Sequence, residues 1–294
     1  MFLSTGFTDY ELLDCSDGEK LERFGDYILI RPDPQVVWHT GRRHPGWKKA
    51  NAHYFRSSSG GGKWEFYNLP EVWSVRAEDL TFRLKPMGFK HVGVFPEQAA
   101  NWAFCREQIV RAGRPVRVLN LFAYSGCASI ACAKAGASVC HVDASKGMVA
   151  WAKENAAASG LADAPIRYIV DDCKKFVERE IRRGRRYDGI IMDPPSYGRG
   201  PSGEIWKIEN GIDELVRTVA EVLSDNPLFY IISSYTTGLA PSVMSYLLGL
   251  HVAKKHGGTI ECDELGLRVS STGFVLPCGA TARWSSGKGR ERGN

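Results

Sequence analysis

From residue 117 onward, short apolar runs alternate with stretches of helical spacing along the 294-residue chain. The runs predict strands at 117–122, 138–143, 166–170, 187–192 and 228–234, of a length that suits buried strands of a parallel sheet. Helical patterns follow them at 126–135, 146–158, 173–183, 209–223 and 240–250. Strands regularly succeeded by helices predict an α/β, doubly wound, mostly parallel sheet. Two more strands are expected at 259–261 and 274–284.

Residues 1–94 lack this rhythm. Strands are expected at 27–30, closed by Arg31-Pro32-Asp33-Pro34, and at 36–38, 73–75 and 80–84, with a glycine-serine loop at 57–62. Phe95-Pro96-Glu97-Gln98 opens a helix with proline in its first turn. The expected division is a small β-rich domain over 1–94, suited to holding substrate, an α/β domain over 95–284 and a flexible tail over 285–294.

Charge and composition narrow the class. Net charge is +5, with 44% hydrophobic and 24% charged residues, as in a soluble globular protein. No run approaches the roughly 18 apolar residues of a membrane span, and the first residues lack a signal-peptide pattern, so a cytoplasmic protein without a membrane partner is expected. The eight cysteines show no C-x-x-C and no clustering with histidine, so no metal site is expected and the thiols are read as reduced and mostly buried. Trp38, Trp47, Trp64 and Trp73 lie among Arg42, Arg43, Lys48 and Lys49; such a set either stacks bases and neutralises phosphates or fills a small core beneath a solvated face. A second basic cluster, Arg179, Arg182, Arg183, Arg185 and Arg186, closes the helix before the fourth strand.

The chemistry-bearing residues fall at strand ends. The strand at 117–122 runs into Ala123-Tyr124-Ser125-Gly126, with Ser125 as the expected helix cap. Strand, tight turn and helix are expected to present free backbone N–H groups at the carboxyl edge of the sheet, where open α/β folds bind ligands. The G-x-G-x-x-G of dinucleotide sites is absent. Asp143 ends the second strand, where a carboxylate can accept both hydroxyls of a ribose. Asp193-Pro194-Pro195-Ser196-Tyr197 ends the fourth. There a carboxylate, a backbone stiffened by two prolines and an aromatic face able to stack a base stand together.

Asn120-Leu121-Phe122-Ala123-Tyr124-Ser125-Gly126 resembles motif I of class I S-adenosylmethionine (SAM) methyltransferases, in the variant N-L-F-x-Y-[ST]-G of large-subunit rRNA methyltransferases of the cytosine-C5 and guanine-N7 type. The resemblance implies a seven-stranded sheet whose last strand is antiparallel, and SAM as cofactor. It places Asn120, Phe122, Ala123, Tyr124, Ser125 and Gly126 at the cofactor, with Asp143, Ala144 and Ser145 as motif II on the ribose. Asp171, Asp172 and Cys173 resemble motif III, where the second acid meets the adenine amine and the next backbone N–H a ring nitrogen. Phe95 and Gln98 match the segment that lies over the cofactor, with Glu97 where the family carries aspartate. D-P-P-S-Y resembles motif IV of nucleic-acid methyltransferases, which makes Asp193, Pro194 and Tyr197 the expected catalytic residues.

The acceptor atom can be narrowed further. Carbon 5 of a pyrimidine needs a cysteine to add to the ring first. The cytosine-C5 relatives carry it in an S-C-S-G-like motif after the fifth strand, where this chain reads Ser233-Ser234-Tyr235-Thr236-Thr237-Gly238. A nitrogen or other lone-pair acceptor is therefore expected, with Asp193, Ser196, Ser234 and Tyr235 as orienting groups and Trp206-Lys207 in contact with substrate. The expected activity is methylation of RNA, with ribosomal RNA leading. A protein or small-molecule methyltransferase and a catalytically silent RNA-binding module are the rivals, and the oligomeric state stays open.

Overall fold

The computed structural model describes residues 1–57, 61–199 and 205–287, so parts of the loop expected at 57–62 and of the tail expected at 285–294 lie outside the described residues. The chain forms two compact units. One comprises Met1–Ala100 and Leu265–Cys278, the other Asn101–Glu264 and Gly279–Asn294. The expected boundary after residue 94 thus moves, and the stretch expected to be continuous over 95–284 gives up a segment. The reason is apolar: Leu267, Val269 and Leu276 share a cluster with Leu12, Cys15 and Val36 of the first unit.

In the first unit β1 (Phe2–Leu3) runs parallel to Leu265–Gly266. A five-stranded sheet follows, made of β2 (Tyr10–Ser16), β3 (Glu19–Phe24), β4 (Tyr27–Pro32), β5 (Ala52–Arg56) and β6 (Gly62–Phe66), with a separate hairpin of β7 (Trp73–Ala77) and β8 (Leu80–Leu84). Strands β2 and β3 meet at Asp17-Gly18, where both residues take positive φ, as a two-residue hairpin turn requires. The strand expected at 36–38 is irregular. The Asp33-Pro34 turn holds this segment, Val36 and Trp38 lend only carbonyls to Gly18 and Asp17, and Val37 is 79% exposed.

The centre of this unit is charged. Glu22 is fully buried and accepts two hydrogen bonds from Arg31, at 2.7 Å each, and one from the Tyr10 hydroxyl at 2.9 Å. Lys20 lies 3.4 Å from Glu22 and from Asp33. Two cations and two carboxylates thus close one buried network. The tryptophans are committed within the unit as well. Trp73 is buried, while the indoles of Trp38, Trp47 and Trp64 donate to the Cys15 carbonyl, Asp14, and the Met87 and Phe89 carbonyls. Arg42 covers the Trp47 ring and pairs with Asp17 and Glu19.

The second unit holds the expected alternation: α1 (Ala99–Ala112, which starts in the first unit), β9 (Arg117–Leu121), α2 (Cys127–Lys134), β10 (Ser138–Asp143), α3 (Lys146–Ala158), β11 (Ile166–Val170), α4 (Cys173–Arg182) and β12 (Gly189–Met192). A short hairpin of β13 (Tyr197–Arg199) and β14 (Ile205–Lys207) intervenes before α5 (Ile208–Ala220), β15 (Phe229–Ser234) and α6 (Pro241–Leu248). Then come α7 (Lys254–His256), β16 (Thr259–Arg268) and β17 (Val275–Ser285), of which Leu265–Arg268 and Val275–Cys278 belong to the first unit. The sheet order is β16-β17-β15-β12-β9-β10-β11. Strands β9, β10, β11, β12 and β15 are parallel, and β17 lies antiparallel to β15. These are the seven strands and the reversed last strand that the resemblance implies; β1, an eighth strand, is an addition. Leu119, Leu121, Val142, Ile190, Met192, Tyr230 and Ile232 pack with α4, α5 and α6 on one face of the sheet. No described helix is long and apolar enough to cross a membrane.

Candidate active site

The chain leaves β9 in one direction through β10 and β11, then returns to its other side as β12 and β15. The crevice between β9 and β12 is therefore the switch point where open α/β sheets take ligands. The turn after β9 reaches it with Phe122, Tyr124 and Gly126 all at positive φ. Two of these are not glycine, and each costs on the order of 1 kcal/mol, a strain typical of functional turns. At Gly126 any side chain is excluded, because a Cβ would fall 2.7 Å from that of Ala152.

The turn does not offer all the free N–H groups expected of it. Tyr124 N–H donates to Asp143 at 2.9 Å, Ala123 N–H to the Val142 carbonyl, Gly126 N–H to the Ala123 carbonyl and Phe122 N–H to the Cys173 sulfur. Ser125 is not the helix cap. Gly126 holds that position, while Ser125 is buried, its carbonyl accepting from Asn155 of α3 and its Oγ lying 3.6 Å from Cys127 Sγ. Asn120 is buried too and donates to Ser129 Oγ, which lies 3.0 Å from His141 Nδ1. Burial holds His141 neutral, with its pKa lowered to about 4. Asn120 and the Ser125 carbonyl therefore lock the turn onto α2 and α3. Their place in a strand buried on both faces and in a turn pulled inward could not be read from residue type.

Asp143 is placed as expected, half-buried at the end of β10. Its two oxygens accept from Tyr124 N–H and Ser145 N–H at 2.9 and 2.8 Å. Burial raises its pKa, while these two backbone donors lower it. Each oxygen keeps a further lone pair, so the carboxylate can still accept a diol. Ser145 caps α3 through Met148 N–H, with exposed Ala144 beside it. Asp172 is exposed and caps α4 by accepting from Lys175 N–H at 2.8 Å. Asp171 is tied to Arg179. Cys173 is buried, and its thiol links the turn to the Val142 carbonyl. Burial pushes that thiol's pKa up.

Register places these ends side by side, with Met192 and Val142 both opposite Leu121 and Asp143 opposite Val170. From Asp193, after β12, to Asp172, after β11, is three strand spacings, about 14 Å. That row of strand-end acids suits an extended nucleoside with an amino-acid arm, which is the shape of SAM. Phe95 and Gln98 belong to the first unit, in a 3₁₀ turn at Pro96–Gln98.

The Asp193–Tyr197 loop is pinned by residues whose role the sequence did not show. Trp206 Nε1 donates to the Pro195 carbonyl at 2.6 Å, Ile208 N–H donates to the Ser196 carbonyl, and Ser196 Oγ lies 2.5 Å from Thr236 Oγ1. Trp206 was expected to touch substrate. It is half-buried and braces the loop, lying where a side chain at residue 211 would be, since a Gly211 Cβ would come within 2.3 Å of its ring. Gly211 was the available signal. Ser234 is buried and accepts from Thr236 N–H. Pro194 is buried, Asp193 half-buried, and Tyr197 is 51% exposed. Among the described residues no group of three or more His, Cys, Asp or Glu side chains could hold a metal ion.

A parallel sheet closed by one reversed strand, with acids at the ends of β10, β11 and β12, defines a nucleoside-cofactor methyltransferase. The chain belongs to the S-adenosylmethionine-dependent methyltransferase family, whose model matches residues 29–229. It is 37% identical to a SAM-dependent methyltransferase from Agrobacterium tumefaciens, with a TM-score of 0.91 over 97% of this chain and 93% of that one. It is also 31% identical over 147 residues to ribosomal RNA large subunit methyltransferase K/L of Shewanella frigidimarina, covering 49% of this chain. The chain spans about a fifth of the length of that relative (20%). A candidate SAM-dependent methyltransferase from Streptococcus mutans shares the fold, at 20% identity and a TM-score of 0.72 over 95% of this chain and 76% of that one.

Proposed function

We propose that this enzyme methylates RNA in the cytoplasm, with ribosomal RNA as substrate, at a nitrogen or other lone-pair acceptor. The observation that carries the reading is Tyr197, a half-exposed ring two residues beyond the second proline of a braced loop that begins at Asp193. A base taken out of its stack can lie on that ring. Bound SAM supplies an electrophilic methyl group. The chain's part is to hold the ribose with Asp143, meet the adenine edge at Asp172 and Cys173, and orient the acceptor with Asp193. Such catalysis works by positioning, which needs a loop that does not move. Similarity to ribosomal RNA methyltransferase K/L supports the substrate assignment. The test is mass spectrometry of ribosomal RNA from a strain lacking the gene, which should miss one methylated nucleoside that the wild-type gene restores. A complete set of modifications in that strain would turn the search to protein substrates.

Two expected outcomes follow from the site. Asp143→Ala should weaken SAM binding by about 1–3 kcal/mol, since ribose hydroxyls would lose their acceptor. Calorimetry giving equal affinities would take Asp143 off the ribose. A 5-fluorocytosine-containing RNA should form no covalent complex with the protein, because the chain carries Ser233-Ser234-Tyr235, and no cysteine, where β15 ends. A band resistant to denaturation on a gel would restore cytosine C5 as the acceptor.

A further inference from the structure

The basic cluster singled out in the sequence does not join the active site; it divides. Arg179 pairs with Asp171, while Arg183, Arg185 and Arg186 turn to the opposite, amino edge of the sheet. With Arg117 at the start of β9 and Arg167 in β11, they ring a cavity of about 470 Å³. Its floor is apolar, with Val139, Cys140 and Pro165 contributing.

One acid faces these five guanidiniums. Glu180 is fully buried, accepts from the Tyr187 hydroxyl at 2.6 Å, and lies 3.4 Å from Arg183 and 3.9 Å from Arg167. Asp188 stands nearby, but its oxygens accept from Arg117 N–H and Ser224 and pair with Arg114. Among the described residues the guanidiniums of Arg117 and Arg185 have no side-chain partner. A single carboxylate cannot balance five cations, and the surplus lies around a concave site. Planar guanidinium forks match the oxygens of a phosphate bidentately, and the cavity volume falls within the range of ligand sites.

We infer that this arginine-ringed cavity binds phosphate groups, carried either by an RNA backbone or by a free nucleotide. It stands apart from the methyl-transfer site. Arg117 and Leu121 mark the two ends of β9, about 13 Å apart at the usual rise per residue. The inference therefore holds whichever acceptor the active site serves. For an RNA, the cavity would grip a phosphate several nucleotides from the base presented at Tyr197.

The first arm of the test begins with the unaltered protein. Inorganic pyrophosphate is titrated into the full chain while the arginine side-chain Nε–H resonances are followed by NMR. Saturable shifts of the resonances of Arg167 and Arg185 are expected, and Arg167→Gln/Arg185→Gln should weaken this binding at least tenfold. In the second arm, binding of a labelled single-stranded RNA is measured across salt concentrations. The same double variant should lower the magnitude of the log–log salt slope by about 1.4, at roughly 0.7 per lost phosphate contact. SAM affinity and the melting temperature are the controls. A change in pyrophosphate binding alone identifies a free phosphate ligand, and a change in RNA slope alone identifies the RNA backbone. Unmoved arginine resonances together with an unchanged slope overturn the inference.

Discussion

Asp193→Ala should slow methylation by about a hundredfold or more while SAM affinity stays within a few-fold of wild type. That loss is the usual cost of removing one positioned polar group or general base. The substitution is a clean probe because the loop does not depend on this carboxylate alone: Trp206, Ile208 and Thr236 hold Pro195 and Ser196 from the far side. Tyr197→Ala provides the contrast. It should weaken RNA binding by about 1–3 kcal/mol, the worth of one stacked base, and leave SAM affinity unchanged. Calorimetry for SAM, paired with single-turnover methylation of RNA from a deletion strain, separates the effects. If both variants transfer at the wild-type rate, the Asp193–Tyr197 loop is a stiff turn and the nucleic-acid reading loses its main support.

Glu22→Ala should cost about 3–5 kcal/mol of stability, the range for removing one partner of a buried ion pair. Arg31 and Lys20, both nearly inaccessible, would face each other without the carboxylate that now lies between them. The Tyr10 hydroxyl would lose its acceptor as well. The melting temperature should fall by about 6–20 °C. The pH dependence has a definite sign. Despite its burial, Arg31 and Lys20 lower the Glu22 pKa to about 2. The group is already ionised in the unfolded chain above about 4.3, so its contribution is complete above that pH and is lost as pH falls through about 2. Denaturant melts from pH 7 to pH 2 should show the wild type losing this increment and the variant not. A loss below 1 kcal/mol at neutral pH would mean the network is solvated.

The same network explains what could not be read from the chain. Strands β9, β10, β12 and β15 are buried on both faces and appear as mostly apolar runs, interrupted by Asn120 in β9 and His141 in β10. In β2 and β3, by contrast, Asp14, Lys20 and Glu22 point inward and erase the alternation that marks a half-buried strand. Asp17-Gly18 was the surviving signal for that hairpin. The three-residue strands β13 and β14 are too short for any periodicity. At the site, acids at strand ends could be placed because the end of a strand is visible in sequence. Asn120 could not, since the side a residue faces inside a doubly covered strand depends on register.

The split composition of the first unit bears on how the protein is made. Residues 101–264 must be synthesised between Ala100 and Leu265, the two pieces of one unit. At about 5–20 residues per second, that interval lasts roughly ten to thirty seconds on the ribosome. Throughout it Leu12, Cys15 and Val36 lack Leu267, Val269 and Leu276, and β1 lacks its neighbour. The earlier piece of the first unit thus carries an unfinished apolar surface during translation. It is a candidate for a nascent-chain chaperone, whereas the second unit can begin to assemble from contiguous chain.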